Sequence, residues 1–133
     1  MREALDLLGV ERVDHGVRAV QDPALLRRLA AERIPLTVCP LSNVRLRVFG
    51  SLADHVLPQL LAAGIVTTVN SDDPAYFGGY VDDNYAAVAD RFDLGPGDLA
   101  RLAHDSVEAS FLPQDRKADL DAEIDAWLRL HTP

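Results

Sequence analysis

The chain has a single cysteine, Cys39, among its 133 residues, so it can form no internal disulfide and offers no pair of thiolates to a zinc ion. Cations are scarce too: 13 Lys and Arg stand against 21 Asp and Glu, a formal charge of −8. That deficit argues against nucleic acid and against anionic membranes as partners, because affinity for phosphate-rich surfaces comes from clustered cations and released counterions. Long apolar runs are missing; nothing approaches the ~18 residues of a membrane-spanning helix. The opening Met1-Arg2-Glu3-Ala4-Leu5-Asp6 carries acids where a secretory leader carries a basic and then an apolar stretch, and cytoplasm is the expected compartment. No low-complexity tract or internal repeat is found. What remains is a chain that is 48% hydrophobic, enough for one globular unit with a real core.

Turn signals divide it into alternating elements. Leu5, Leu7 and Leu8 ahead of Gly9 predict a helix closed by a left-handed glycine. The stretch 11–16 predicts a short strand ending at His15-Gly16, and Asp22-Pro23 an N-cap with proline at the first helical position. In the next helix Leu25, Leu26, Leu29 and Ala30 share a face, with Arg27, Arg28, Glu32 and Arg33 outside it. Residues 35–40 read as a buried strand bounded by prolines, 57–63 as a short apolar helix, and 65–70 as the strongest strand. Strands recurring roughly every thirty residues with helices between them are what a parallel sheet requires, since each crossover must carry the chain back. After Tyr80 the pattern turns helical: Tyr85, Val88, Ala89 and Phe92 share one face, and Leu99, Leu102, Ala103, Val107 and Phe111 line the next helix. A final charged helix over 114–130 carries Leu120, Ile124, Trp127 and Leu128 as a docking stripe.

In parallel α/β folds reactive groups gather at the carboxyl ends of strands. That rule selects His15, the Cys39-Pro40-Leu41-Ser42-Asn43 segment, and Asn70-Ser71-Asp72-Asp73-Pro74. Alone, His15 reads as a loop hydrogen-bonder, and Asp72-Asp73-Pro74 as a turn or helix start. Together they suggest more, because vicinal acids in one mouth repel unless a cation or donors absorb their charge. A divalent metal would do so. Cys39 reads as a small core residue, and Arg45 and Arg47, alternating with Leu46 and Val48, as the wet side of an extended segment. His55 is expected to open a helix, and His104 and His131 to lie on the surface. Calcium held by Asp72, Asp73, Asp82 and Asp83 fails the EF-hand spacing.

Three motifs resemble the carboxyl-terminal half of the adenosine and adenine deaminase family of zinc-dependent purine aminohydrolases. Arg12-Val13-Asp14-His15-Gly16 is similar to the family's R-[IV]-x-H-G, Val38-Cys39-Pro40-Leu41-Ser42-Asn43 to V-C-P-x-S-N, and Ser71-Asp72-Asp73-Pro74 to [ST]-D-D-P, in the family's order and spacing. The resemblance covers about residues 1–112, and the strings 39–44 and 69–80 are closest in flavour to the bacterial adenine deaminase branch. It implies an α/β fold, the carboxyl-terminal part of a (β/α)8 TIM barrel: about three parallel strands with helices, then carboxyl-terminal helices. It implies zinc as cofactor, with Asp72 as the metal-coordinating aspartate and Asp73 hydrogen-bonding the purine at N7. His15 would be the catalytic group that orients or deprotonates the attacking hydroxide.

The family's H-x-H, its later zinc-binding histidine and the glutamate just after that histidine have no counterpart here. The zinc site is therefore expected to be incomplete, and 1–133 a single incomplete domain: a barrel segment over 1–80 and carboxyl-terminal helices over 81–133. The expected function is hydrolytic deamination of a 6-aminopurine, adenine or adenosine, by zinc-activated water, in a fragment inactive alone. Its partners would be a small-molecule purine and either a missing amino-terminal half or a second copy. The alternatives are a non-catalytic half-barrel that pairs with another chain or itself, and an acidic metal-binding module.

Overall fold

The computed structural model describes residues 1–132. Three parallel strands, β1 (Val13–Asp14), β2 (Leu36–Val38) and β3 (Thr67–Val69), lie side by side in that order. Their register puts Val13, Leu36 and Thr67 in one row and Asp14, Thr37 and Thr68 in the next. Because side chains alternate along a strand, the first row and the Val38–Val69 pair point to one face, and the second row points to the other. The strands are shorter than the six-residue stretches expected, although ladder hydrogen bonds run one residue further, from His15 N–H to the Thr37 carbonyl (2.8 Å) and from Asn70 N–H to that of Val38 (2.8 Å). Beyond those bonds the backbone leaves the extended region, with His15 and Gly16 both left-handed and Pro40 opening a helix.

Helices cover the first face. In α1 (Arg2–Leu8) Leu5 is buried, Leu7 and Leu8 point outward, and Gly9 closes the helix with φ 60° and ψ 40°. In α2 (Pro23–Ala31) the Asp22 carboxylate accepts from the Ala24 and Leu25 amides, and Leu25 and Leu29 turn inward. They pack with Leu36, Val38, Leu60 and Ile65 in one apolar cluster. A second cluster joins Leu57 of α4 (Leu57–Ala62), Val69 of β3, Val88 of α6 (Val81–Phe92) and Leu102 of α7 (Pro96–Glu108). No described helix is long and apolar enough to cross a membrane.

Three local expectations are corrected. Residues 45–48 are not extended: Pro40 at the first helical turn starts α3 (Pro40–Arg45), and Arg47 then turns left-handed with φ 58°. Phe111 does not line α7, which stops at Glu108; the Arg12 guanidinium takes the Ala109 carbonyl (3.0 Å) and lies 4.6 Å above the exposed Phe111 ring. The third concerns His104, which is not a free surface residue. Its Nδ1 faces Asp121 Oδ1 at 2.6 Å and its Nε2 faces Asp125 Oδ1 at 3.2 Å, both on α8 (Gln114–His131). The apolar stripe of α8 docks only in part: Leu120, Ile124 and Leu128 are half-buried and Trp127 is exposed.

Charge thus helps to hold α8 where apolar burial is thin. The Asp121 hydrogen bond, with help from Asp125, raises the His104 pKa above its ordinary value. A group whose folded pKa is raised contributes stability that is full below the unfolded pKa and is lost as pH rises through the folded one. The docking of α8 is therefore expected to be firmest below about pH 6.5 and to loosen above it. Fluorescence of Trp127, the chain's one tryptophan, should follow that change across a pH titration, and His104→Gln should flatten it.

Candidate active site

The strand ends bring His15 and Asp72 together. His15 leaves β1 with φ 61° and Asp72 follows β3 with φ 61°, a left-handed conformation that Asp tolerates better than most residues. The His15 Nε2 stands 3.9 Å from Asp72 Oδ2, and their side chains are 42% and 29% exposed. Ser42, a buried residue of α3, donates to the same carboxylate oxygen at 2.6 Å. Gly16 makes this turn possible, because a Cβ there would sit 2.6 Å from Leu36 Cδ2 in the core.

These groups border a cavity of about 480 Å³ on the sheet face that the helices leave open. Asp14, Thr37 and Thr68 form its floor, with His15, Cys39 and Asp72 at one end and Ser106 of α7 in the wall. Asp73 is placed differently. Its Oδ1 accepts the Tyr76 N–H (3.1 Å) as the cap of α5 (Pro74–Phe77), and its side chain is exposed outside the residues lining the cavity. Asp83 likewise holds the Tyr80 N–H at 2.8 Å. Neither it nor Asp82 joins the carboxylates in a calcium-like cluster.

One group among the described residues could share a cation: His15, Cys39 and Asp72, with donor atoms all within 4.8 Å of one another. Burial, and then the charge of Asp72, push the Cys39 thiol up to about 11, so at neutral pH it is a protonated core residue. That leaves one carboxylate with an imidazole beside it. Such a set fits part of a catalytic zinc shell, which takes three protein ligands, and supplies too few donors to close one.

A link between two buried residues behind His15 escaped sequence reasoning. The Asn43 side-chain amide nitrogen lies 3.5 Å from His15 Nδ1, and its oxygen 3.0 Å from His55 Nε2. His55 opens α4 as expected, its Nδ1 accepting the Leu57 N–H at 3.1 Å, but it is 4% exposed and burial lowers its pKa to about 4. The Ser42-Asn43 pair was visible as part of a motif; its link to His55 was not.

A parallel strand–helix unit with an imidazole and a carboxylate meeting at its strand ends has the layout of an α/β fold whose site lies at the carboxyl ends of its strands. The chain belongs to the adenosine deaminase family, whose profile matches residues 1–127. It is 58% identical over 127 residues to an adenine deaminase of Streptomyces coelicolor, covering 94% of this chain and 37% of that protein. Among solved structures, the adenine deaminase of Arthrobacter aurescens superposes with a TM-score of 0.94 at 52% identity, over 96% of this chain and 39% of that one. A Burkholderia ambifaria amidohydrolase with bound zinc superposes with a TM-score of 0.87 at 26% identity, over 97% and 36%. The chain therefore spans less than two-fifths of the length of these relatives.

The Gly16 turn gives a measurable consequence. Gly9→Ala meets only the left-handed backbone penalty, about 1 kcal/mol, because nothing lies near its Cβ position. Gly16→Ala adds a clash with Leu36, and denaturant unfolding should show it costing about 2–4 kcal/mol.

Proposed function

We propose that this chain forms the carboxyl-terminal part of a cytoplasmic adenine deaminase, which converts adenine and water to hypoxanthine and ammonia. The convergence of His15 and Asp72 on one cavity carries the reading, and identities of 52–58% to adenine deaminases support free adenine over adenosine. Asp72 would be the one zinc ligand this chain supplies, with Ser42 fixing the carboxylate that holds it. Bound there, zinc would lower the pKa of a coordinated water toward about 7 and so supply hydroxide at neutral pH. His15 would hydrogen-bond the attacking oxygen and stabilise its charge as it adds to C6, an interaction that the partly desolvated cavity strengthens. Asp73 keeps Oδ1 in the α5 cap, and its other oxygen would accept from a purine that carries its proton on N7.

The other ligands and the remaining strands belong to further parts of the barrel, on the same or a separate polypeptide. In a second reading the unit is non-catalytic and pairs with another chain or with itself, which the outer edges of β1 and β3 favour. Size-exclusion chromatography separates the two, a stable homodimer without turnover supporting the second.

Purified and zinc-loaded, the 133-residue chain alone should release no ammonia from adenine above background. Complemented by a barrel portion carrying H-x-H and H-A-x-E, it should do so, and Asp72→Ala should lower the rate about 100-fold or more. Turnover by the chain alone, abolished by Asp72→Ala, would overturn the fragment reading. In the complemented enzyme Asp73→Ser keeps a good cap, so unfolding should shift by less than about 0.5 kcal/mol while kcat/KM falls about 10-fold or more. An unchanged kcat/KM would reduce Asp73 to a cap.

A further inference from the structure

The hydrogen bonds behind His15 can be followed proton by proton. The Leu57 backbone N–H can only donate, so His55 Nδ1, 3.1 Å away, must present a lone pair. A neutral imidazole carries one N–H, which places the His55 proton on Nε2. That proton points at Asn43 and requires its oxygen, at 3.0 Å. The Asn43 amide is thereby oriented, and its NH2 group faces His15 Nδ1 at 3.5 Å, a long hydrogen bond in which His15 must accept. His15 is left with its proton on Nε2, the nitrogen that faces Asp72. Burial supports each step: Asn43 is 2% and His55 4% exposed, and the Phe49 ring packs edge-on against His55 at 4.6 Å. Turning the amide over would set the Asn43 NH2 against the His55 Nε2–H, which disfavours that state about 10-fold or more.

We infer that His55 and Asn43 are positioning residues that fix the ring tautomer of His15, so that neutral His15 presents an N–H rather than a lone pair to the attacking oxygen. His15 then acts as a hydrogen-bond donor at the site and does not take a proton at Nε2. The 3.9 Å between His15 Nε2 and Asp72 Oδ2 is too long for a direct hydrogen bond, yet one oxygen placed to the side can reach both atoms at normal distances. The inference about catalysis rests on the deaminase reading above; the tautomer itself does not.

The test reads the tautomers directly, by two-bond 1H–15N correlation of the histidine rings in the metal-free 133-residue chain at about pH 8, where an ordinary imidazole is neutral. Both His15 and His55 should be Nε2–H. Asn43→Asp replaces the NH2 group with a second acceptor oxygen, and should switch His15 to Nδ1–H while His55 stays Nε2–H. A wild-type His15 found as Nδ1–H overturns the inference, as does a His15 that stays Nε2–H in Asn43→Asp. The wild-type spectrum decides the matter even if the variant does not fold. Failure of the deaminase reading shows instead in turnover, so the two failures are told apart.

Discussion

Parallel register is the constraint from which the rest follows. Pairing Val13 with Leu36 and Leu36 with Thr67 starts three strands level with one another, so they end within one residue of level, and the residues just past each end become neighbours. His15 and Asp72 are 57 positions apart in sequence, yet His15 Nε2 and Asp72 Oδ2 are 3.9 Å apart because each lies within three residues of its strand's carboxyl end. Slipping one strand by a single residue would do two kinds of harm. It would turn Leu36 or Val69 out of the apolar clusters and carry the site residue to the wrong face. The clusters that hold the register are thus also what hold the chemistry in place.

The second row of that register has a different character. Asp14, Thr37 and Thr68 are a carboxylate and two hydroxyls, with Thr37 donating to Asp14 at 2.8 Å, and they floor the cavity instead of closing a core. Asn70 continues the polar character, its amide donating to Thr68 Oγ1 at 2.6 Å. A sheet face that hydrogen-bonds within itself remains compatible with water and polar ligands, whereas the opposite face needs helices over it.

What could be read from sequence depended on how far away each residue's partner lies. The Asp22-Pro23 cap, the left-handed Gly9 and the inward faces of α2 and α6 rest on neighbours within a turn or two, and the sequence shows them directly. The meeting of His15 with Asp72 was also legible, since strand order and motif spacing carry it. Helix α3 was missed because part of its hold comes from afar: the Leu41 N–H is taken by Asn84, 43 positions on. The early end of α7 depends on Arg12, 97 positions back, and the anchoring of His104 on acids in the next helix. Asp73 could be read two ways from the start, and the structure shows the cap, with its Oδ1 taking the Tyr76 N–H.

These observations separate what stabilises the unit from what it does. Its apolar clusters lie on the helical side of the sheet, so folding free energy is drawn from contacts that the polar row does not make. The site draws on the helical side through Ser42, which holds the Asp72 carboxylate, and through the buried pair Asn43 and His55, whose amide and ring are oriented from the Leu57 backbone outward. A backbone amide at the start of a helix cannot change its donor role, and this makes it a fixed origin for the whole series. Covering the open face with further strands would exclude water. It would leave untouched the orientation of His15, which this segment already sets from behind.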